Sequence, residues 1–337
     1  MPATHTHDTP AQTMRAVTVG PDGPVLREVR RPTPGPSQVL VKVHASGINR
    51  ADLHVAAGHK HGSTGGEGAV IGIEWSGEIV AVGAEVPAGF KPGDMVMCSG
   101  AGGYAEYAVT DWGRVYPLPS RDVDLAHAAA LPIALQTAHE ALTASGAFQR
   151  GQSVLVQGAS SGVGLMTLQA ARILGAAKVI GTSTTAERLT QLAGFGAHLA
   201  LDPREAGWPQ QVLEATGGQG VDLVVDFVAG PTVNDSMRAT RVCGRIVNVG
   251  RMGGFCGEFD FDLHSLRRIH YVGATFRTRS VHEVREIATR MKADLWAALA
   301  DGALRMPVCR RFALADAAEA LEFVSANAHF GKVVLDV

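Results

Sequence analysis

A glycine-rich turn between two apolar segments constrains the fold of this chain more than any other feature. The turn, residues 158–164, reads GASSGVG and follows an apolar run at 154–156. Beyond it, apolar residues recur at helical spacing, and a second apolar run follows at 179–180. The succession of strand, turn, helix and strand predicts a βαβ unit, in which a helix joins two parallel strands.

The turn itself indicates what this unit binds. Its glycines let the chain reverse tightly, so that free backbone N–H groups at the start of the helix point at one spot, where a dinucleotide pyrophosphate fits. A tight turn that binds nothing is the alternative, but the strand before it and the helix after it favour the dinucleotide. We therefore predict cofactor contacts from Gly158, Ser160, Ser161, Gly162, Val163 and Gly164.

The end of the second strand indicates which dinucleotide is bound. NAD-selective sites usually place a carboxylate about 20 residues beyond the glycine turn. Here residues 181–185 read GTSTT, and Arg188 follows one helical turn later. With no carboxylate to repel a 2′-phosphate and an arginine to pair with it, we predict NADPH, bound in part by Arg188, Thr182, Ser183 and Thr184. Alternatively, Arg188 is a solvated helix residue beside Glu187.

Length and composition bound the remaining possibilities. The chain has 337 residues, 46% of them hydrophobic, which is enough for two domains with cores of their own. A net charge of −2 and the lack of a long basic run argue against nucleic acid as a partner, and no segment has membrane-spanning length. Residues 1–13 lack the apolar core of a signal peptide and are predicted to be a disordered lead-in. We expect a cytoplasmic protein whose four scattered cysteines form no disulfide.

The pattern along the chain predicts an α/β protein of two domains. From residue 14 to about 114, short β-branched runs are cut by glycine and proline, which is typical of a mostly antiparallel barrel. An alanine-rich helical stretch at 124–148, broken by Pro132, leads into a doubly wound parallel sheet with further strands at 221–225, 244–249 and 271–276. An amphipathic helix at 280–303 and a final strand follow. We assign 14–131 and 281–337 to the barrel domain and 132–280 to the dinucleotide-binding domain.

Motifs along nearly the whole chain resemble the quinone oxidoreductase branch of the medium-chain dehydrogenase/reductase superfamily, which includes zeta-crystallin. They are SGINRADLHVAAG at 46–58, IGIEWSGEIVAVG at 71–83, GDMVMCSGAGGYAEYAV at 93–109, ALPIALQTAHEAL at 130–142, QGASSGVG at 157–164, GRIVNVGRMGG at 244–254 and NAHFGKVVL at 327–335. The resemblance implies a GroES-like barrel and a Rossmann domain, with the active site in the cleft between them.

The resemblance also bears on metals. Zinc-dependent members of the superfamily carry a cysteine and a histidine where this chain has Asn49 and Ile73, and their four-cysteine lobe is absent. Three histidines, His54, His59 and His61, could supply imidazoles, but no cysteine or carboxylate has a matching spacing. We predict no metal.

Further site residues follow from the resemblance. Asn49 matches a position near the nicotinamide ribose, and the resemblance places five more residues on the cofactor side, namely Thr137, Gly250, Met252, Asn327 and Lys332. Alternatively, Thr137 only stabilises a helix turn and Lys332 is solvated.

The implied reaction is hydride transfer from NADPH to a quinone or a similar conjugated carbonyl acceptor. Without zinc to stabilise an alkoxide, simple alcohol chemistry is disfavoured. Asn49, Lys60 and Tyr104 are candidate hydrogen-bond donors to the acceptor, and His59 or Lys60 stands where many relatives carry a tyrosine. Two alternatives remain, an NADPH-dependent enone or 2-alkenal reductase and a non-catalytic NADPH-binding protein. An outer strand at 271–277 predicts a homodimer.

Overall fold

The computed structural model describes residues 13–62, 64–120 and 122–337. Most of the predicted lead-in lies outside the described residues, and Thr13, its last residue, begins the first strand. The described strands form two large sheets and one two-stranded ribbon. The predicted α/β class with a barrel and a parallel sheet is confirmed.

The first sheet forms the barrel and is mostly antiparallel. Its strand order is β14-β15-β3-β4-β5-β7, with β6 paired to β3, and β1 and β2 form the separate ribbon. Only β14 and β15 pair in parallel among its described strands. The bounds in the barrel are β1 Thr13–Gly20, β2 Gly23–Arg30, β3 Gln38–Gly47, α1 Arg50–Ala56, β4 Glu74–Val82, β5 Met95–Ser99, β6 Tyr107–Asp111, β7 Val115–Pro117, β14 Val308–Ala313, α10 Ala317–Ser325 and β15 Lys332–Asp336.

The second sheet is parallel throughout, in the order β10-β9-β8-β11-β12-β13. Its strand order reverses beside β8, the first strand of the sheet, and ligands of such sheets bind at this switch point, beyond the carboxyl ends of the strands. The bounds are β8 Ser153–Gln157, α4 Gly162–Ile173, β9 Lys178–Thr182, α5 Ala186–Leu192, β10 Leu199–Leu201, α6 Trp208–Ala215, β11 Val221–Asp226, α7 Val233–Ala239, β12 Thr240–Asn248, α8 Phe261–Arg267 and β13 His270–Gly273.

Both faces of the parallel sheet are buried, as a doubly wound sheet requires. Successive residues of a strand point to opposite faces, so Val154 and Val156 of β8 pack in one core and Leu155 packs in the other. The first core includes residues of α3, Pro132–Leu142, of α4 and of α9, Val281–Ala300, and the second includes Trp208 and Met237 from α6 and α7. The apolar runs found in the sequence are therefore core strands.

Three helices connect the two sheets. The stretch broken at Pro132 forms α2, Leu125–Ala129, and α3, Pro132–Leu142, where proline occupies the first turn and costs no hydrogen bond. The amphipathic helix α9 spans Val281–Ala300, and Ser280 caps it by accepting a hydrogen bond from the backbone of Glu283 at 3.2 Å. The final strand β15 returns to the barrel and pairs with β3, as predicted.

The predicted outer strand at 271–276 is shorter than expected. Strand β13 spans His270–Gly273, and the chain turns away because the hydroxyl of Thr275 accepts a hydrogen bond from the backbone of Arg277 at 3.2 Å. Strand β13 has β12 on one side and lies at the edge of the sheet. No helix in the described part of the chain is both long and apolar enough to cross a membrane.

Candidate active site

The glycine turn lies between β8 and α4 at the switch point of the sheet. Gly158 has a left-handed φ of 73°, which favours glycine. Ser161 caps α4, since its hydroxyl accepts from the backbone N–H of Gly164 at 3.1 Å and donates to the carbonyl of Gly158 at 2.9 Å. A methyl group on Gly164 would lie 2.5 Å from that same carbonyl oxygen. The tight reversal therefore requires glycine at 164.

The turn fits a phosphate group. Within the described residues, nothing accepts a hydrogen bond from the backbone N–H of Val163, which lies at the half-buried start of a helix of 12 residues. Such a free donor, together with the helix dipole, favours an anion. Glycines 158, 162 and 164 let the turn pack closely on Val228, on the Lys332 stem and on the Gly158 carbonyl, respectively, where a Cβ would crowd these atoms.

The hydroxyl-rich segment after β9 corrects part of the sequence prediction. The hydroxyl of Thr182 is buried, donates to Gln157 Oε1 at 2.6 Å and accepts from the backbone of Gly158 at 3.1 Å. Ser183 is also buried, and its hydroxyl bonds that of Ser160 at 3.1 Å. Thr182 therefore supports the turn from inside and cannot reach a 2′-phosphate, whereas Thr184 is exposed.

Asn327 joins the two domains beside this segment. Its carbonyl accepts from Arg188 Nη2 at 2.5 Å, and its side-chain oxygen accepts from Arg50 at the start of α1. Burial first, and then Arg50, Arg188 and Lys332, lower the pKa of His329 to about 4. We call Arg50, Arg188, Asn327 and His329 the Asn327 cluster. In this cluster Arg188, which the sequence predicts to bind a 2′-phosphate, and Arg50 both bond Asn327, so positive charge is in excess.

A buried ion pair lies between the turn and the barrel. Lys332 Nζ pairs with Glu74 and donates to Asn49 Oδ1 at 2.7 Å and to the carbonyl of Ile48 at 3.0 Å. Asn49 Nδ2 donates to Glu74 Oε1 at 2.8 Å, and the other carboxylate oxygen accepts from the backbone of Ile133 at 2.9 Å. Lys332 is therefore not solvated, and its stem packs against the turn, 2.9 Å from where a Cβ of Gly162 would be.

Asp52 and Tyr104 lie behind Asn49, and their positions correct the prediction that Tyr104 donates a hydrogen bond to the acceptor. The Tyr104 hydroxyl donates to Asp52 Oδ2 at 3.0 Å, and the same oxygen accepts from the backbone of Asn49 at 2.8 Å. Burial raises the pKa of Asp52 to about 7 and that of Tyr104 well above its ordinary value. Tyr104 is fully buried, so it positions the Asn49 turn and cannot donate to an acceptor in the cleft.

The loops after β12 and β13 face α1 and the loop that follows it. A methyl on Gly158 would lie 3.6 Å from Met252 Cε, the ring centroids of Phe255 and His54 are 5.8 Å apart, and Gly62 approaches the backbone of Arg277. His61 is half-buried here, whereas Lys60 is exposed. We define His54, His61, Arg251, Arg277 and Phe255 as the cleft-mouth cluster.

The other predicted residues fall into place around these groups. Gly250 lies just after β12, beside the residue that follows β11, and a methyl there would overlap the carbonyl of Phe227. Thr137 is half-buried on α3. Sequence reasoning missed six groups, namely Arg50, Asp52, Glu74, His329, Arg251 and Arg277. Glu74 carried a signal, because a carboxylate inside the apolar strand IGIEWSG needs a buried partner.

Comparison with known proteins agrees with this architecture. Residues 35–120 match the family described as Alcohol dehydrogenase GroES-like domain, and residues 162–293 match the one described as Zinc-binding dehydrogenase. The fold and the site thus define an oxidoreductase of the medium-chain dehydrogenase/reductase superfamily that uses a nicotinamide cofactor and a small-molecule substrate.

The relatives narrow the family further. The chain is 32% identical over 330 residues to the quinone oxidoreductase of Rattus norvegicus, covering 96% of this chain and 97% of the relative. The native structure of a mycobacterial quinone oxidoreductase is similar with a TM-score of 0.82 at 31% identity, covering 96% and 100% of the two chains. A mycobacterial protein solved in complex with NADPH has the same TM-score of 0.82 and coverage, at 30% identity. The chain belongs to the quinone oxidoreductase branch.

The residues at the zinc-ligand positions differ from those of zinc-dependent members. The amide of Asn49 is held by Lys332 and Glu74, and Ile73 offers no ligand atom. Among the residues of the described ranges, no group of three or more histidine, cysteine, aspartate or glutamate side chains is arranged to hold a metal ion.

Proposed function

We propose that this protein is an NADPH-dependent quinone oxidoreductase that needs no metal. When bound, NADPH would supply a hydride, so that a quinone gains two electrons and one hydrogen and, with one proton from water, becomes a hydroquinone. The observation that carries this proposal is the network of Lys332, Asn49 and Glu74. It fixes an amide, rather than a metal ligand, beside the glycine turn.

Different residues of the chain would bind different parts of the cofactor. The start of α4, with the free N–H of Val163, suits the pyrophosphate, and Asn49 suits the nicotinamide ribose. Thr184 and Arg188 suit a 2′-phosphate, because a hydroxyl and a guanidinium can bond it and no carboxylate at these positions repels it. The Asn327 cluster adds the positive charge of Arg50. This arrangement supports NADPH over NADH.

The burial of the acidic side chains near the site supports a reaction in which the acceptor takes its proton from water. Glu74, Asp52 and Tyr104 are each fully buried, so none of them can pass a proton directly to a molecule in the cleft. A reduced quinone does not need such a donor. The chain's own contribution is then to orient the acceptor and to exclude competing reactions.

Enone reduction is a second candidate because of His61. This half-buried histidine faces the cofactor sheet, and burial lowers its pKa, with Arg277, His54 and Arg251 acting in the same direction. A neutral imidazole N–H can donate a hydrogen bond to an enolate oxygen. Lys60, the donor predicted from the sequence, is exposed on the same loop and stays a proposal.

The test is NADPH oxidation, followed by its absorbance, with 1,4-benzoquinone and with a 2-alkenal. We expect quinone-dependent oxidation that survives EDTA, and we expect Gly164→Ala to abolish it because the added methyl overlaps the Gly158 carbonyl. Gly207→Ala is the matched control, since nothing lies within 4 Å of the Cβ it adds. NADPH binding without any acceptor-dependent oxidation would instead favour a binding protein, and activity restored only by zinc would refute the metal-free proposal.

A further inference from the structure

The cleft-mouth cluster concentrates positive charge opposite apolar side chains. We propose that the physiological acceptor carries an acidic group, such as a carboxylate or sulfonate, next to its conjugated carbonyl system, and that Arg251 and Arg277 bind this group. The proposal rests on the proposed function and specifies its substrate class. The acidic group takes no part in the redox step, and it only orients the acceptor.

Both sides of the cleft contribute to the cluster. Arg251 and Phe255 come from the loop after β12, and Arg277 comes from the loop after β13. On the barrel side, His54 of α1 contacts the Phe255 ring edge to face, and a Cβ on Gly62 would lie 3.2 Å from the carbonyl oxygen of Arg277. A molecule in this part of the cleft therefore meets cations from two sheet loops.

The positive charge of this cluster is not neutralised. Other arginines pair with carboxylates, for example Arg285 with Asp111 at 2.7 Å and Arg311 with Asp336 at 2.6 Å. Neither Arg251 nor Arg277 has a carboxylate partner in the described ranges, and the nearest bond of Arg277 is to the Thr275 hydroxyl at 3.2 Å. Arg277, His54 and Arg251 are the neighbours that lower the pKa of His61, and no carboxylate is among them. Converging cations without a counter-ion favour an anionic ligand.

The phosphates of the cofactor do not account for Arg277. The glycine turn follows β8, and β13 is the third strand along the sheet from it. Neighbouring strands are about 4.8 Å apart, which puts the two strand ends roughly 14 Å from each other. The Asn327 cluster lies on the other side of the turn and already supplies cations there. Arg277 is therefore left for the acceptor, and Arg251 lies on the loop between the turn and Arg277, with which it interacts.

Apolar side chains beside the arginines suit a conjugated ring. Phe255 is 72% exposed and Met252 is 49% exposed, although both lie on the loop that faces the cleft. A flat ring can stack on the phenyl group and contact the thioether. An acceptor whose ring contacts these side chains and whose acidic group binds the arginines would be held in one orientation. A neutral quinone lacks the second contact and would not be oriented in this way.

The first experiment compares two acceptors in four proteins. The acceptors are 1,2-naphthoquinone-4-sulfonate and 1,2-naphthoquinone, and the variants are Arg251→Gln, Arg277→Gln and Arg290→Gln, the last being an exposed arginine of α9 that controls for net charge. We expect kcat/KM for the sulfonate to fall at least tenfold in the first two variants and less than twofold in the control, with the neutral quinone changing less than twofold throughout. The intrinsic reactivity of each quinone cancels because variants are compared on the same acceptor.

The second experiment measures binding without turnover. Naphthalene-2-sulfonate, which cannot be reduced, is titrated calorimetrically into protein saturated with NADP+, with 2-naphthol as the neutral comparison. We expect sulfonate affinity to fall at least tenfold in Arg277→Gln and to be kept in Arg290→Gln. Equal sulfonate affinity in all proteins, or equal losses for both quinones, would overturn the anionic acceptor while leaving quinone reduction standing. Arginine-dependent sulfonate binding without any quinone turnover would keep the anion site and refute the proposed function.

Discussion

Single residues carry the coupling between the two domains, and Lys332 is the clearest case. Its ammonium and the Glu74 carboxylate are both buried and satisfy each other. Removing one partner of such a pair leaves an uncompensated charge, so we expect Lys332→Met to lower the free energy of unfolding by about 3 kcal/mol or more. Urea denaturation measures this, and Lys91→Met, at an exposed lysine, should cost less than about 0.5 kcal/mol.

The double variant makes that prediction specific to the pair. With Glu74→Gln added to Lys332→Met, no buried charge remains without a partner, so we expect the loss to be smaller than the sum of the two single losses. Strict additivity of the two single effects would show that the residues do not stabilise each other.

Asp52 predicts a pH dependence of stability. Burial raises its pKa to about 7 in the folded protein, above its ordinary value of 3.8, so the folded state holds a proton that the unfolded state releases. Between these values its contribution to stability falls as the pH rises, by at most about 1.4 kcal/mol per pH unit. Relative to wild type, Asp52→Asn should therefore gain roughly 2 kcal/mol between pH 5 and pH 7.

Comparing the variant with wild type removes other titrations from the measurement. His329 works in the opposite direction, because its lowered pKa of about 4 makes stability fall as the pH drops below about 6.5. It is present in both proteins and cancels. A constant stability difference between Asp52→Asn and wild type from pH 5 to pH 7 would contradict a raised Asp52 pKa.

Residue roles were only partly predictable from the sequence. Asn49 and Lys332 were recognised because they lie in recurring motifs, and the structure joins them at 2.7 Å. Thr182 was assigned to the cofactor because a sequence does not show whether a hydroxyl at a strand end faces outward or bonds Gln157 inside. Tyr104 was assigned to the cleft for the same reason, although its hydroxyl bonds a buried carboxylate.

At the scale of elements, the proposed preference for NADPH rests on β9 and α5. The strand ends without a carboxylate, and α5 presents Arg188. We expect NADPH to bind at least tenfold tighter than NADH, which is about 1.4 kcal/mol, and Arg188→Ala to reduce this ratio while Arg290→Ala keeps it. Fluorescence titration with both nucleotides gives the ratio, and equal affinities in the unaltered protein would refute the preference.

Elements with strong local signals were the predictable ones. Strand β8, the capped helix α4 and strand β9 follow from apolar runs around a glycine turn, and α9 follows from its amphipathic pattern and the Ser280 cap. The strand at β13 was overextended, because the apolar residues after Gly273 continue the pattern while the Thr275 hydroxyl stops the pairing. Side-chain bonds of this kind leave little trace in periodicity.

For the whole molecule, we propose a homodimer formed through the free edge of β13. Exposed aromatic residues cluster there, since Phe261 is 75% exposed and its ring centroid lies 5.1 Å from that of Phe259, which also contacts Tyr271. Light scattering at micromolar concentration should give twice the mass of the chain. Phe261→Glu should lower that mass and Val25→Glu, at an exposed residue of β2, should not. A monomeric wild-type protein would contradict the proposal.

Contacts across the cleft lay beyond sequence reasoning. Gly62 and Arg277, or His54 and Phe255, are far apart in the chain and meet only because the barrel and the parallel sheet face each other at one particular angle. Other contacts between the two domains include the hydrogen bond from Arg188 to the Asn327 carbonyl and the packing of the Lys332 stem on Gly162. Motifs place residues on the correct domain, but they do not show which side chains then face each other.

The position of Lys332 has a consequence for biosynthesis. The site combines Asn49, the turn at 158–164 and Lys332, whose stem packs on Gly162. A nascent chain still held in the ribosome at residue 300 already contains the glycine turn, yet it exposes Glu74 without its cation and lacks the strand that closes the barrel. We therefore expect the site to be complete only once β15 has formed, and a chain that stops before this strand to lack the buried cation of the site.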